Sequence, residues 1–164
     1  MYRPGHHGAA MLVYAPIGGV LAVAGYELLG LCGGGLVVGT TMVPDYDRRV
    51  DWLDRRGPTH TVWFALAFGV VTGLVAAVVG PFVLGLGALL VFAVGFALGV
   101  LAVVVHIVAD ALTPVGVRPF APVRDEAYAF EVAFATSVPG NYVLLGVGVL
   151  AASLAFLVGG SLAG

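Results

Sequence analysis

Long apolar stretches alternate with short charged ones along this chain. Residues 4–44 carry one charge, Glu27, and residues 57–109 and 132–164 carry none. A helix that crosses a bilayer needs about 20 mostly apolar residues, so each stretch can be divided into spans. The first holds two, broken near Tyr26–Gly35, where Gly30, Gly33, Gly34 and Gly35 cluster. The second holds two, broken at the turn dipeptide Gly80-Pro81. The third holds one, after Pro139-Gly140. The pattern predicts an all-α polytopic membrane helix bundle, a single integral membrane domain over residues 1–164. Its five or so transmembrane helices fall near 8–26, 29–44, 60–79, 82–112 and 141–162. The second is short, and a re-entrant path there would change which ends share a side.

Charge placement tests that count. Five spans put the N-terminus, the 45–59 loop and the 113–140 loop on one side of the membrane. All seven basic residues, Arg3, Arg48, Arg49, Arg55, Arg56, Arg118 and Arg124, lie there, and there is no lysine. The turns near 27–34 and 80–82 and the C-terminal tail hold none. Positive loops stay cytoplasmic, which predicts a multi-pass plasma (inner) membrane protein with this face in the cytoplasm. Arg3, an apolar run and Ala22-Val23-Ala24 imitate a signal peptide. Pro16, Gly18 and Gly19 interrupt that run and a second apolar run follows at once, so the segment reads as a retained span.

Composition narrows the class further. The chain is 60 % hydrophobic and 10 % charged, whereas a soluble domain carries about 25 % charged residues. This excludes an ordinary soluble globule, a disordered tail and a nucleic-acid binder that works through surface charge. The single cysteine, Cys32, permits neither an internal disulfide nor a paired-cysteine zinc motif.

Ionisable groups at membrane depth are costly and mark function by default. His106 and Asp110 are spaced i, i+4, so a helix projects both from one face, and Thr113 continues that stripe before Pro114 ends it. Such a pair can bind a metal ion from one rigid helix; it can equally be an Asp accepting a hydrogen bond from a His. Asp45-Tyr46-Asp47 can aim two carboxylates at one cation or form an Asx-turn that caps the next segment. In Arg55-Arg56-Gly57-Pro58-Thr59-His60-Thr61, Thr59 is a candidate N-cap with His60 in the first helical turn. The free N–H groups there and Arg56 would suit a phosphate or carboxylate, or the arginines are membrane-flanking anchors. Gly5-His6-His7-Gly8 opens the first span. The topology brings His6, Asp45, Asp47, His60, His106 and Asp110 to one membrane face, and convergence of neutral nitrogens and carboxylates at one level of a bundle describes a metal site.

The segments Val43-Pro44-Asp45-Tyr46-Asp47, Arg56-Gly57-Pro58-Thr59-His60-Thr61 and His106-Ile107-Val108-Ala109-Asp110-Ala111-Leu112-Thr113-Pro114-Val115-Gly116, with the early Gly5-His6, resemble the YdjM family. These are inner-membrane proteins described as predicted metal-dependent hydrolases, in some bacteria under LexA control. Their pattern reads approximately L-P-D-x-D-H, H-R-G-x-T-H-S and H-x-x-x-D-x-x-T-x-x-G. The resemblance implies that His6, Asp45, Asp47, His60, His106 and Asp110 are metal ligands or catalytic groups. It departs at Arg48 and Arg55, where the family pattern has histidine, and a protonated arginine cannot coordinate a cation.

The expected function is therefore that of a membrane-bound, metal-dependent hydrolase acting on a phosphoester or ester of an amphiphilic or membrane-derived substrate. The expected cofactor is a divalent ion, zinc first, with manganese or iron also permitted by carboxylate-rich ligation. Asp47 would take the proton, Arg56 would stabilise developing charge, and Arg48, Arg55 and Arg56 would bind an anionic group; Thr59 and Thr113 complete the site residues. The partners implied are the lipid bilayer and a small-molecule or lipid-like substrate, with no nucleic acid. The alternatives are a non-catalytic metal- or anion-binding relative and a small transporter, the latter disfavoured because the spans show no matching pair of interrupted halves.

Overall fold

A computed structural model describes residues 1–163. Six α-helices follow one another: α1 Arg3–Val23, α2 Glu27–Thr40, α3 Val62–Leu84, α4 Ala88–Ala111, α5 Ala133–Thr136 and α6 Val138–Ala163. Short 3-10 segments at Val43–Arg49 and Pro58–His60 lie between α2 and α3. Five segments are long and apolar enough to cross a bilayer: α1, α3, α4, α6, and Glu27–Arg49, in which the 3-10 turns extend α2. That extension removes the shortage of length in the second span. Gly33 of α2 lies against Leu98, and Thr41 donates to Ala102 O (3.3 Å), so α2 runs along α4 towards the same end as His106.

Several boundaries differ from those predicted. Gly80-Pro81 does not break α3, which continues to Leu84. Apolar helices in lipid tolerate proline, and the turn falls instead at Gly85, whose φ of 67° only glycine adopts readily. Proline in a first turn needs no intrahelical N–H partner, so Pro4 and Pro139 lie inside the starts of α1 and α6 rather than ahead of them. The predicted cap at Thr59 is also displaced. Thr61 is extended (φ −115°, ψ 158°), accepts from Phe64 N (3.2 Å) and donates to Pro58 O (2.8 Å), so α3 starts at Val62 and His60 precedes it in a 3-10 turn. With Phe64 N–H on Thr61 and Val62 N–H on Pro119 O (2.8 Å), the anion site expected at this helix start is largely satisfied by protein atoms.

Small residues set the helix packing, as is usual where lipid supplies no hydrophobic force between helices. α1 and α6 form one close pair: a Cβ at Gly8 would meet the backbone of Leu144, and one at Gly148 would meet Gly8. α3 and α4 form the other, with Gly69 and Gly73 against Phe96 and Phe92. Thr72 ties this pair by donating to Gly95 O (2.9 Å). α1 and α2 are joined by Tyr14, whose hydroxyl donates to Gly30 O (2.6 Å), and Tyr14 packs with Ala10, Val37, Leu98 and Ala102 in the central apolar core. The outward faces expose Val78, Phe82, Leu89 and Leu150, as a lipid-facing surface requires.

The segment after α4 folds back on the helix end. Val117 and Tyr128 pair as an isolated antiparallel bridge, while Phe130 N and Val132 N donate to the terminal carbonyls of Ala111 and Leu112 (both 2.8 Å). These bonds satisfy groups a helix end leaves open. They also hold the 113–132 segment over the end of the bundle where His106 and Asp110 emerge.

Candidate metal centre

At that end four side chains from three parts of the chain converge. Asp45 comes from the 3-10 turn after α2, His60 from the turn before α3, and His106 and Asp110 from adjacent turns of α4. One ligand atom of each lies within 4.8 Å of all the others. His60 Nε2 and His106 Nε2 are 3.2 Å apart. Asp45 Oδ1 is 3.9 Å from His60 Nε2 and 3.8 Å from His106 Nε2; Asp110 Oδ2 is 3.6 Å and 3.9 Å from the same atoms.

These spacings match one ion. A tetrahedral ion with ligand bonds of about 2.0–2.1 Å holds its ligand atoms about 3.4 Å apart. Both carboxylate oxygens of the group, Asp45 Oδ1 and Asp110 Oδ2, are buried, and apart from the histidines each has one close partner, a guanidinium nitrogen 2.9 Å away (Arg48 Nη2 and Arg56 Nε) without hydrogen-bond alignment. A cation among the histidines would share these oxygens with the arginines. The donor set of two imidazoles and two carboxylates fits zinc, and also manganese or iron.

A second layer orients the first. Asp47 stands behind His60: its Oδ2 is 3.5 Å from His60 Nδ1, and Thr59 Oγ1 lies 3.0 Å from the same nitrogen. Acceptors at Nδ1 keep the proton there and leave the Nε2 lone pair aimed at His106. Burial holds the His60 imidazole below its ordinary pKa, against the opposing pull of Asp110, Asp47 and Asp45, so it remains a neutral donor. His6 stacks on His106, with ring centroids 4.1 Å apart and planes 9° apart, and its Nε2 lies 3.3 Å from Asp110 Oδ1. His6 therefore sits beside the four-residue group, on the other oxygen of the shared carboxylate. The Met1 α-amino group also donates to Asp110 Oδ1 (2.7 Å).

Arg56 joins the pieces. Its φ of 58° is uncommon for a side-chain-bearing residue. Its backbone N–H donates to Asp47 Oδ2 (2.8 Å), its Nε lies 2.9 Å from Asp110 Oδ2, and its Nη1 donates to Thr113 Oγ1 and Gly116 O (both 3.1 Å). Thr113 in turn donates to Asp110 O (2.7 Å). Arg48 Nη2 lies 2.9 Å from Asp45 Oδ1. The two arginines thus hold the same carboxylate oxygens that face the histidines, while Arg55 is exposed and makes no ion pair among the described residues. Asn141, buried in the first turn of α6, was not singled out from sequence. It accepts from Tyr2 N (3.1 Å) and donates to Ala135 O (3.1 Å), fixing the chain that leads into His6. A lone amide in an uncharged span was the available signal.

Fold and site define a class: a multi-pass α-helical membrane protein with a buried histidine–carboxylate cluster at one end of its bundle. Within that class, the chain belongs to the YdjM inner membrane protein family, whose model matches residues 1–162. No curated protein and no solved structure matches it.

Proposed function

We propose that this protein is a membrane-embedded, metal-dependent hydrolase of phosphoester or ester bonds in amphiphilic substrates, with its site on the cytoplasmic side. The observation that carries the reading is that His60 and His106 lie 3.2 Å from each other and 3.6–3.9 Å from buried carboxylate oxygens of Asp45 and Asp110. His60, His106 and Asp110, the fully buried members, would hold the ion, which when bound supplies Lewis-acid polarisation and a more acidic water.

Asp45 is the outermost member, with a side chain 9 % exposed, and its Oδ1 faces both histidines. It suits the role of proton acceptor, which sequence reasoning gave to Asp47. Asp47 lies behind His60 and suits orientation of that ring. Arg56 keeps Asp110 in place and carries positive charge to the edge of the site, where an anionic group would be stabilised. The cytoplasmic assignment rests on the seven arginines at this end and none at the other.

The test is a panel of phosphomonoester, phosphodiester and carboxylic-ester amphiphiles offered to the purified, zinc- or manganese-loaded protein. Hydrolysis that needs the metal and disappears in Asp110→Asn supports the reading. A loaded protein inert towards the whole panel favours the non-catalytic metal-binding alternative.

A further inference from the structure

A groove of about 1060 Å³ lies beside the metal centre, and Arg56 forms the wall between them. One side is polar, with Arg55 and Arg118. The other is the start of α3, where Trp63, Phe64 and Ala67 form an apolar wall that begins at the membrane boundary. Trp63 is 49 % exposed there, at the level where tryptophan anchors helices at the interface.

We propose that this groove binds a membrane lipid with a phosphate-monoester headgroup, the tail lying along α3 and the phosphate on Arg55 and Arg118. This names the substrate class for the hydrolase reading and rests on that reading for its purpose. Charge complementarity carries it. Three guanidinium groups line the groove against two carboxylates, Asp54 and Asp125. Asp125 is paired with Arg118 (3.0 Å) in an exposed contact, which an incoming phosphate can share or replace at small cost. Arg55 has no carboxylate partner among the described residues. A guanidinium presents a planar fork that matches phosphate oxygens, and two forks suit a doubly charged monoester better than a diester. The groove also exceeds what a headgroup alone requires, since sites for drug-sized ligands measure about 300–1,000 Å³.

The test reads binding without chemistry, so its failure is separable from failure of the hydrolase reading. The chain has two tryptophans, Trp52 and Trp63; Trp52→Phe leaves Trp63 as the only reporter. The metal-stripped protein is placed in phosphatidylcholine nanodiscs doped with either phosphatidic acid or phosphatidylcholine brominated high in the acyl chains. The proposal expects Trp63 to be quenched as though phosphatidic acid were enriched beside it about 2- to 5-fold, the range of a single exposed charge contact. Arg55→Glu, at an exposed position, should abolish the enrichment without altering the circular dichroism. Inorganic phosphate at the bulk concentration of the lipid should leave it in place, because the bilayer holds the lipid headgroup beside the groove at a far higher local concentration. Equal quenching by the two lipids overturns the proposal, as does enrichment that survives Arg55→Glu. Loss of enrichment on adding inorganic phosphate means a simple anion site and overturns the lipid assignment.

Discussion

His60 and His106 bring their Nε2 atoms to 3.2 Å although 46 residues separate them in the chain. Nothing local creates this approach. It requires α3 and α4 to be packed side by side through Gly69, Gly73, Gly95 and Gly99, and the Pro58–His60 turn to fold back over the end of α4. Acceptors hold the His60 proton on Nδ1, whereas His106 Nδ1 has no hydrogen-bond partner, so His106 Nε2 either donates to His60 Nε2 or, with its proton on Nδ1, joins it in facing a cation. Asp45 and Asp110 lie where the charge of such a cation would be met.

Arg56 and the metal are alternative partners for Asp110 Oδ2. Removing one member of a buried ion pair costs about 3–5 kcal/mol because the other charge is left unpaired. Arg56→Ala is therefore expected to lower the melting temperature of the metal-free protein in detergent strongly. Added zinc should recover more of the loss in the variant than it adds to the wild type. Equal zinc-induced shifts in both would show that Arg56 does not compensate the metal-facing carboxylate.

Arg48 competes for Asp45 Oδ1 from a half-exposed position, its side chain 41 % exposed. An exposed pair of this kind contributes about 0.2–1 kcal/mol. Arg48→Gln should accordingly tighten metal binding by up to about fivefold, read by competition with a chromogenic chelator. Weaker binding in the variant would mean that Arg48 supports the site.

Asp47 acts through His60. Disturbing a group that orients a ligand costs about 10–100-fold in metal affinity, so Asp47→Asn should weaken binding within that range and less than His60→Ala does. The double variant should be little worse than His60→Ala alone. Additive losses would instead make Asp47 a ligand in its own right.

The topology yields a separate expectation. A reporter inserted in the 45–59 loop should read the cytoplasm and one fused after the C-terminus the outside. The reverse pattern would move the site to the other face.

Much of this was legible in the sequence because lipid simplifies the code. Uncharged stretches of span length announced the helices, and the only histidines and most of the acids in the chain flanked them at one end. The i, i+4 spacing of His106 and Asp110 placed them on one face directly. Helix ends were less legible: proline at 81 and 139 reads as a breaker, yet an apolar bundle or a first turn accommodates it. The division of labour within the motifs was also hidden. Asp45 and Asp47 look equivalent, but a 3-10 turn sends one towards the histidine Nε2 atoms and the other behind His60. Likewise the left-handed backbone at Arg56, which turns its side chain onto Asp110, has no local signature beyond the glycine that follows it.

The central claim is that His60, His106 and Asp110 bind one divalent ion beside Asp45. Elemental analysis of protein purified in detergent and equilibrated with zinc tests it most directly, with His106→Ala and Asp110→Asn measured alongside and folding followed by circular dichroism. The account predicts about one ion per chain in the wild type and near-background metal in either variant while helicity is retained, since loss of a ligand should exceed the 10–100-fold cost of a lost supporting contact. A wild type that holds no zinc, or folded variants that hold as much as the wild type, would contradict it.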